Sequence, residues 1–206
     1  MKLLQIDSSP MGEMALSRRL TQEFARRWLA ANPHGSVTER DLTKTTIPVI
    51  DAEWVAANYV EPDLRTDRQN EALRMSRAFI GELLEADEYV MGVPMHNWGP
   101  PASFKLWVDQ IVTASSGTER PLAGTRISLA EKRASFIVVA GGRYDAESAT
   151  AAKDLLSPWL LTLFGSLGVK DMRLVRVDRT RDVNNGTLDR EAFLAPHLEA
   201  IKALFD

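Results

Sequence analysis

The chain has 206 residues, 45% hydrophobic and 26% charged, a composition that suits a globular chain long enough to bury a full core. Its formal charge of −3 offers no basic field for nucleic acid, no run approaches the roughly 18 unbroken apolar residues of a membrane span, and the polar turn at Asp7 comes too early for a secretory signal. With no Cys there is no disulfide, iron–sulfur cluster or thiol nucleophile, and His34, His96 and His197 are too scattered for a metal site, so the expectation is one domain over residues 1–206, cytoplasmic and without metal.

In chain order, Lys2 to Asp7 reads as a short strand with a buried middle, and Ser8 to Gly12 as a loop. Leu16, Leu20, Phe24 and Trp28 recur at spacing four, which predicts a helix from Ala15 to Ala31, stopped by Asn32-Pro33-His34-Gly35. Ser36 to Leu42 alternates like an edge strand. Strand, loop, helix and strand by residue 42 make a βαβ unit with a parallel pair. Residues 51 to 65 carry Trp54, Tyr59 and Pro62 without a clear pattern. Thr66 with Gln69 forms a capping-box signature, predicting one helix from there to about Glu85. A buried strand at 88–93 follows, then the loop Pro94 to Pro101 and a helix from Ala102 to about Thr113. Residues 114–133 are a long polar stretch of the kind that is usually functional or disordered. Ala134 to Val139, with Phe136 to Val139 at its apolar centre, forms a fourth strand that empties into Ala140-Gly141-Gly142. A helix is predicted from about Ala146 to Leu167, kinked or restarted at Pro158 and stopped by Gly168. Asp171 to Val177 is a fifth strand, and a helix over 188–205 closes the chain.

Five strands alternating with helices predict an α/β, doubly wound parallel sheet with helices on both faces. Five, rather than six, points to the flavodoxin-like order 2-1-3-4-5. In that order strands 1, 3 and 4 are neighbours, so the loops 8–17, 94–99 and 140–145 meet at one edge, outside the carboxyl ends of the strands where such sheets bind ligands. Ser8, Ser9 and Ser17 surround a helix start, which suits a phosphate, although plain capping is the commoner use of serines there. Arg18 and Arg19 either assist an anion or are solvated. Met95 and Trp98 can lie against a flat ring and Asn97 can pair with a polar ring edge, while His96 is either a surface side chain or a proton-transfer group. Gly141 and Gly142 permit close backbone approach or simply make a turn. There is no G-x-x-x-x-G-K-[ST], no G-x-G-x-x-G after the first strand and no G-x-S-x-G.

At these loops the sequence resembles the FMN-dependent NADH-azoreductase and quinone oxidoreductase family, over nearly its whole length. The resemblance is carried by the opening strand with Ser8 and Ser9, by Arg40 to Leu42 before Ile47 to Val49, and by Pro94 to Trp98 followed by Phe104 to Asp109. Gly141-Gly142 and the block from Pro158 to Val169 complete it. It implies noncovalent FMN, with Ser9, Ala15, Leu16 and Ser17 at the phosphate, Met95, His96, Asn97 and Trp98 by the ring and ribityl chain, and Val139, Ala140, Gly141 and Gly142 at the pyrimidine end. It implies NADH or NADPH as donor, two-electron reduction of quinones and reductive cleavage of aromatic azo compounds by a ping-pong flavin reaction, and a homodimer with flavin sites at the interface. Trp54, Tyr59, Trp98 and the 114–133 stretch would then line the neighbouring pocket. Ala15 stands where relatives often have Ser, His96 where Tyr is common, and Ala140 where some have a polar or basic residue. No side chain is assigned as catalytic beyond His96 as a candidate proton donor. The alternatives are a flavodoxin-type electron carrier, a non-enzymatic interaction protein built on the same fold, and an FMN or FAD reductase that releases reduced flavin.

Overall fold

The computed structural model describes residues 1–112 and 128–206. Five strands, β1 (Lys2–Asp7), β2 (Ser36–Asp41), β3 (Glu88–Pro94), β4 (Arg133–Val139) and β5 (Asp171–Val177), form one parallel sheet in the order β2-β1-β3-β4-β5, as the alternating pattern predicts. The register carries Asp7 opposite both Asp41 and Gly92, Gly92 opposite Ile137, and Ile137 opposite Val175, so the carboxyl ends of the strands come nearly level.

The inner strands are buried along nearly their whole length because both faces are covered, and apart from Gln5, Asp7, Glu88 and Ser135 their buried side chains are apolar. Leu4, Ile6, Tyr89, Met91, Val93, Phe136 and Val138 point to one face. There they meet helices α4 (Arg74–Glu85), α5 (Ala102–Ile111) and α6 (Leu156–Ser166), through residues such as Phe79, Phe104, Trp107 and Phe164. Leu3, Val90, Ile137 and Val139 point to the other face, against Leu20, Phe24 and Trp28 of α1 (Leu16–Ala31) and Leu194 and Ile201 of α8 (Arg190–Lys202). Gly92 lies where α1 crosses β3. A Cβ there would meet Thr21 Cγ2 at 3.0 Å and Asp7 Oδ1 at 3.1 Å, so the glycine is what lets the helix lie this close to the sheet.

Three helical expectations need correction. The helix predicted over 66–85 is two helices, α3 (Asp67–Ala72) and α4, because Leu73 departs from helical backbone at φ −90° and ψ 2°. The capping box at its start is present, with Gln69 N–H donating to Thr66 Oγ1 at 3.3 Å and Thr66 N–H to Gln69 Oε1 at 3.0 Å. Residues 146–155 are not the first half of a long helix. The Ser148 and Thr150 hydroxyls both donate to the Arg143 carbonyl, a local alternative to helical bonding, and α6 starts only at Leu156. Pro158 therefore sits in the first turn of α6, where a missing N–H costs nothing, and makes no kink. Two short helices fall where no pattern was read, α2 (Ala52–Asn58) and α7 (Thr180–Asn184). Of the 114–133 stretch, residues up to 127 lie outside the described part; beyond it Leu129 is fully buried and Arg133 already belongs to β4.

Candidate active site

The loops after β1, β3 and β4 do meet, and the start of α7 after β5 joins them. Together they bound a cleft of about 190 Å³ lined by Ser9, Met11, Met14, Ala15, Leu16, Ser17, Pro94, Met95, His96, Val139, Gly141, Thr180 and Asn184.

One wall is the N-terminus of α1. Its N-cap residue is Ala15, with extended backbone (φ −71°, ψ 128°) and no side-chain oxygen to accept from the first turn, and no acidic side chain lies in that turn. The N–H groups of Leu16, Ser17 and Arg18 have no acceptor among the described residues. A helix end in this condition presents free donors and a partial positive charge to whatever enters the cleft. Arg18 takes no part in this. It is buried, donates from Nε to the Gly12 carbonyl at 3.1 Å, pairs with Asp41 at 2.7 Å and approaches Asp7 at 3.7 Å. It is thus neither of the two things expected of it; Arg19 is exposed. Burial alone would weaken the Arg18 charge, but the Asp41 hydrogen bond and the fields of both carboxylates outweigh it and raise its pKa.

Asp7 lies under the same wall, accepting from Gln5 Nε2 and Thr21 Oγ1, each at 2.8 Å. Burial pushes its pKa above the ordinary value despite those bonds and Arg18. Burial acts in the same direction on Asp41, but there the Thr43 hydroxyl and N–H, with Arg18, prevail and lower it. This network ties the ends of β1 and β2 to the first turn of α1, so the donors above it are rigidly placed.

The second wall is the loop after β3. Met95 N–H donates to the Val139 carbonyl at 2.7 Å, fixing it to β4. His96 and Gly99 then exchange reciprocal backbone bonds of 2.9 and 3.0 Å, closing a turn whose central residues Asn97 (φ 49°) and Trp98 (φ 68°) are both left-handed. Such backbone costs a non-glycine residue roughly 1–2 kcal/mol, and for a side chain as large as Trp it is an outlier of the kind that collects at functional sites. Met95 and His96 line the cleft; Asn97 and Trp98 stand beyond it, Trp98 with 48% of its surface exposed.

The third wall is β4's end. Val139 and Gly141 line the cleft. Ala140 does not: it is buried, and its carbonyl accepts both the N–H and the hydroxyl of Thr180, each at 3.1 Å. Gly142 is also set back, with the Tyr144 ring 3.1 Å from where a Cβ would stand. So Ser9, Ala15, Leu16, Ser17, Met95, His96, Val139 and Gly141 are brought together, while Asn97, Trp98, Ala140 and Gly142 flank them. Met11, Met14, Pro94, Thr180 and Asn184 were missed. The signal for Thr180 and Asn184 was available: β5 neighbours β4 in the predicted order, so its own end had to open beside the same cleft. Among the described residues no cluster of His, Asp or Glu could hold a metal, and no helix is long and apolar enough to cross a membrane.

The sequence profile of the flavodoxin-like fold family matches residues 1–204. The chain is 55% identical over 204 residues to FMN-dependent NADH:quinone oxidoreductase 3 of Burkholderia lata, covering 99% of both chains. It is 42% identical over 200 residues to FMN-dependent NADH:quinone oxidoreductase of Acidobacterium capsulatum, covering 97% of both. Among solved structures, an azoreductase from Bacillus anthracis superposes with a TM-score of 0.83 at 21% identity, covering 100% of this chain and 98% of that one. An FMN-dependent NADH-azoreductase from the same organism, in complex with FMN, superposes with a TM-score of 0.81 at 20% identity over the whole of both chains. At that identity these two structures speak for the fold.

Proposed function

The chain belongs to the flavodoxin-like fold family, and from that premise we propose that it is an FMN-dependent NADH:quinone oxidoreductase that also reduces aromatic azo compounds. The observation that carries this is the bare N-terminus of α1 opening onto the cleft. An anionic group is the partner such an end lacks, and a phosphate monoester bearing a flat ring matches the rest of the lining. Ser9, Ala15, Leu16 and Ser17 would hold the phosphate of FMN, Met95 and His96 its ring and ribityl chain with Asn97 and Trp98 beside them, and Val139 and Gly141 the pyrimidine end with Ala140 and Gly142 behind them. Ala15 removes a hydroxyl but leaves the backbone donors. Arg18 is spent on Asp7 and Asp41, so neutral donors and the helix end are what this wall offers a phosphate.

When bound, FMN supplies a two-electron relay between NADH or NADPH and a quinone or azo acceptor that use one place in turn. The protein's part is position and exclusion. Met11, Met14 and Met95 give the cleft soft apolar contacts that shed water, and the Asp7–Arg18–Asp41 network keeps the first turn of α1 in place. His96 is the only imidazole on the cleft, and no carboxylate or ammonium lines it among the described residues. We assign it the proton that a reduced quinone oxygen takes up. A cytoplasmic location fits a nicotinamide donor and a chain without Cys.

The test is a visible spectrum of the purified protein, then NADH without oxygen, then a quinone. Yellow protein that bleaches with NADH and recolours with quinone is the expected result. Yellow protein indifferent to NADH and NADPH would make it an electron carrier, and colourless protein that refuses FMN would end the reading. In the same assay, unchanged quinone turnover by His96→Ala at normal flavin content would remove the proton role.

A further inference from the structure

Between β4 and α6 the chain makes a strap, residues 142–155, whose two ends are tied to Asp178, the residue after β5, and to Arg176 of β5. At its start Tyr144 N–H donates to Asp178 Oδ2 at 2.6 Å. At its end Arg176 donates to Asp154 Oδ2 at 2.6 Å, and the same guanidinium reaches Asp178 Oδ2 at 3.3 Å. One half-buried arginine therefore bridges the two carboxylates that anchor the strap. Asp154 also caps α6 by accepting the Ser157 N–H at 3.0 Å, so the end of the strap is fixed to two elements. The residue next to this anchor is Lys153. It makes no ion pair among the described residues, and its Nζ lies 5.9 Å from the centroid of the Trp98 ring, within the range of a cation–π contact.

Trp98 is the second left-handed residue of the turn that presents His96 to the cleft. Backbone of this kind persists only where its surroundings over-determine it. The backbone bonds between His96 and Gly99 hold the base of the turn; the contact from Lys153 holds its tip. We propose that Lys153 is a positioning residue for the electron acceptor. The ion-paired strap sets its ammonium over the Trp98 ring, and that clasp fixes the turn against which a flat quinone or azo ring is placed. This rests on the proposed function, because only a ring-shaped acceptor in this cleft would read the position of the turn.

The test compares Lys153→Met and Lys153→Arg with the parent, as purified. Trp98 is the one exposed tryptophan among the five, so acrylamide quenching, referenced to Trp98→Phe, isolates its emission. Lys153→Met should raise quenching of the Trp98 share and Lys153→Arg should restore the parent value. With a neutral benzoquinone as acceptor and rates referred to bound flavin, Lys153→Met should raise KM about two- to fivefold, the size of an exposed cation–π contact, and by a larger factor than it lowers kcat. In a Trp98→Phe background the same change should do much less. Equal quenching in Lys153→Met and parent overturns the clasp. Unchanged KM, or an effect that persists in full without Trp98, overturns the positioning role. Raised quenching in a protein that reduces no quinone upholds the clasp and sinks the function reading instead, so the two failures are distinguishable.

Discussion

Ala15 shows how much a single side chain can separate folding from binding. A helix N-cap without an oxygen forgoes about 0.5–2 kcal/mol of stability, and here it leaves three N–H groups facing the cleft. Ala15→Asp would supply that oxygen along with a negative charge. The ligand-free protein should gain about 1 kcal/mol, read as a higher urea midpoint, while FMN retention collapses because the carboxylate competes with and repels the phosphate. A variant that is more stable and still yellow would show that the phosphate is held elsewhere. From sequence, Ala15 reads only as a lost hydroxyl. That the same residue is the N-cap of an otherwise uncapped helix depends on where α1 begins, one residue later than the periodicity indicates, and boundaries of this kind are set by backbone dihedrals rather than by pattern.

At the scale of elements, the inner strands were legible because burial on both faces favours short apolar runs bounded by turn residues, as in Tyr89 to Val93 and Phe136 to Val139. The stretch 146–155 was not. Its composition favours a helix, but its hydroxyls and carboxylates take the backbone groups first, and the Asp154–Arg176 pair that fixes it joins residues 22 apart in sequence. Helix α1 carries a local device of the opposite kind. Glu23 accepts from Arg26 and Arg27, three and four residues on, and these bonds, the Arg26 bond foremost, hold its carboxyl at a pKa of about 2 against an ordinary 4.5. A carboxylate whose pKa is lower in the folded state stabilises it at pH values above 4.5, and that contribution is lost as the pH falls from there towards 2. Asp7, shifted the other way, opposes part of this, so the difference between variant and parent is the useful quantity. Glu23→Gln should lower stability at neutral pH and show a shallower loss across that acid window, followed by thermal melts. Parallel acid limbs would deny Glu23 the role.

For the molecule as a whole, several of the uncovered apolar side chains fall in one region of sequence, 49–64: Val49 is 73% exposed, Val55 45%, Tyr59 62% and Leu64 75%. Uncovered apolar side chains are what a partner surface leaves behind when a chain is viewed alone, and we propose that these four meet a second copy of the chain, with Tyr59 available to it. Trp54 is less free than expected, since its Nε1 donates to Ser76 at 2.9 Å and Gln110 at 3.1 Å. Leu64→Asp, or Val49→Asp if that is insufficient, should reduce the sedimenting mass from that of two chains to that of one. An unchanged dimer in both variants would place the interface elsewhere. The bareness of α1's first turn also has a bearing on supply. A ligand that satisfies groups the fold leaves unmet binds only the native state, and at a free concentration about 100 times its dissociation constant it adds about 2.7 kcal/mol to stability. Chains made when flavin is scarce would lack that increment, open more often and be degraded sooner. Vitamin status would then govern how much of this protein a cell keeps, as well as how fast each copy works.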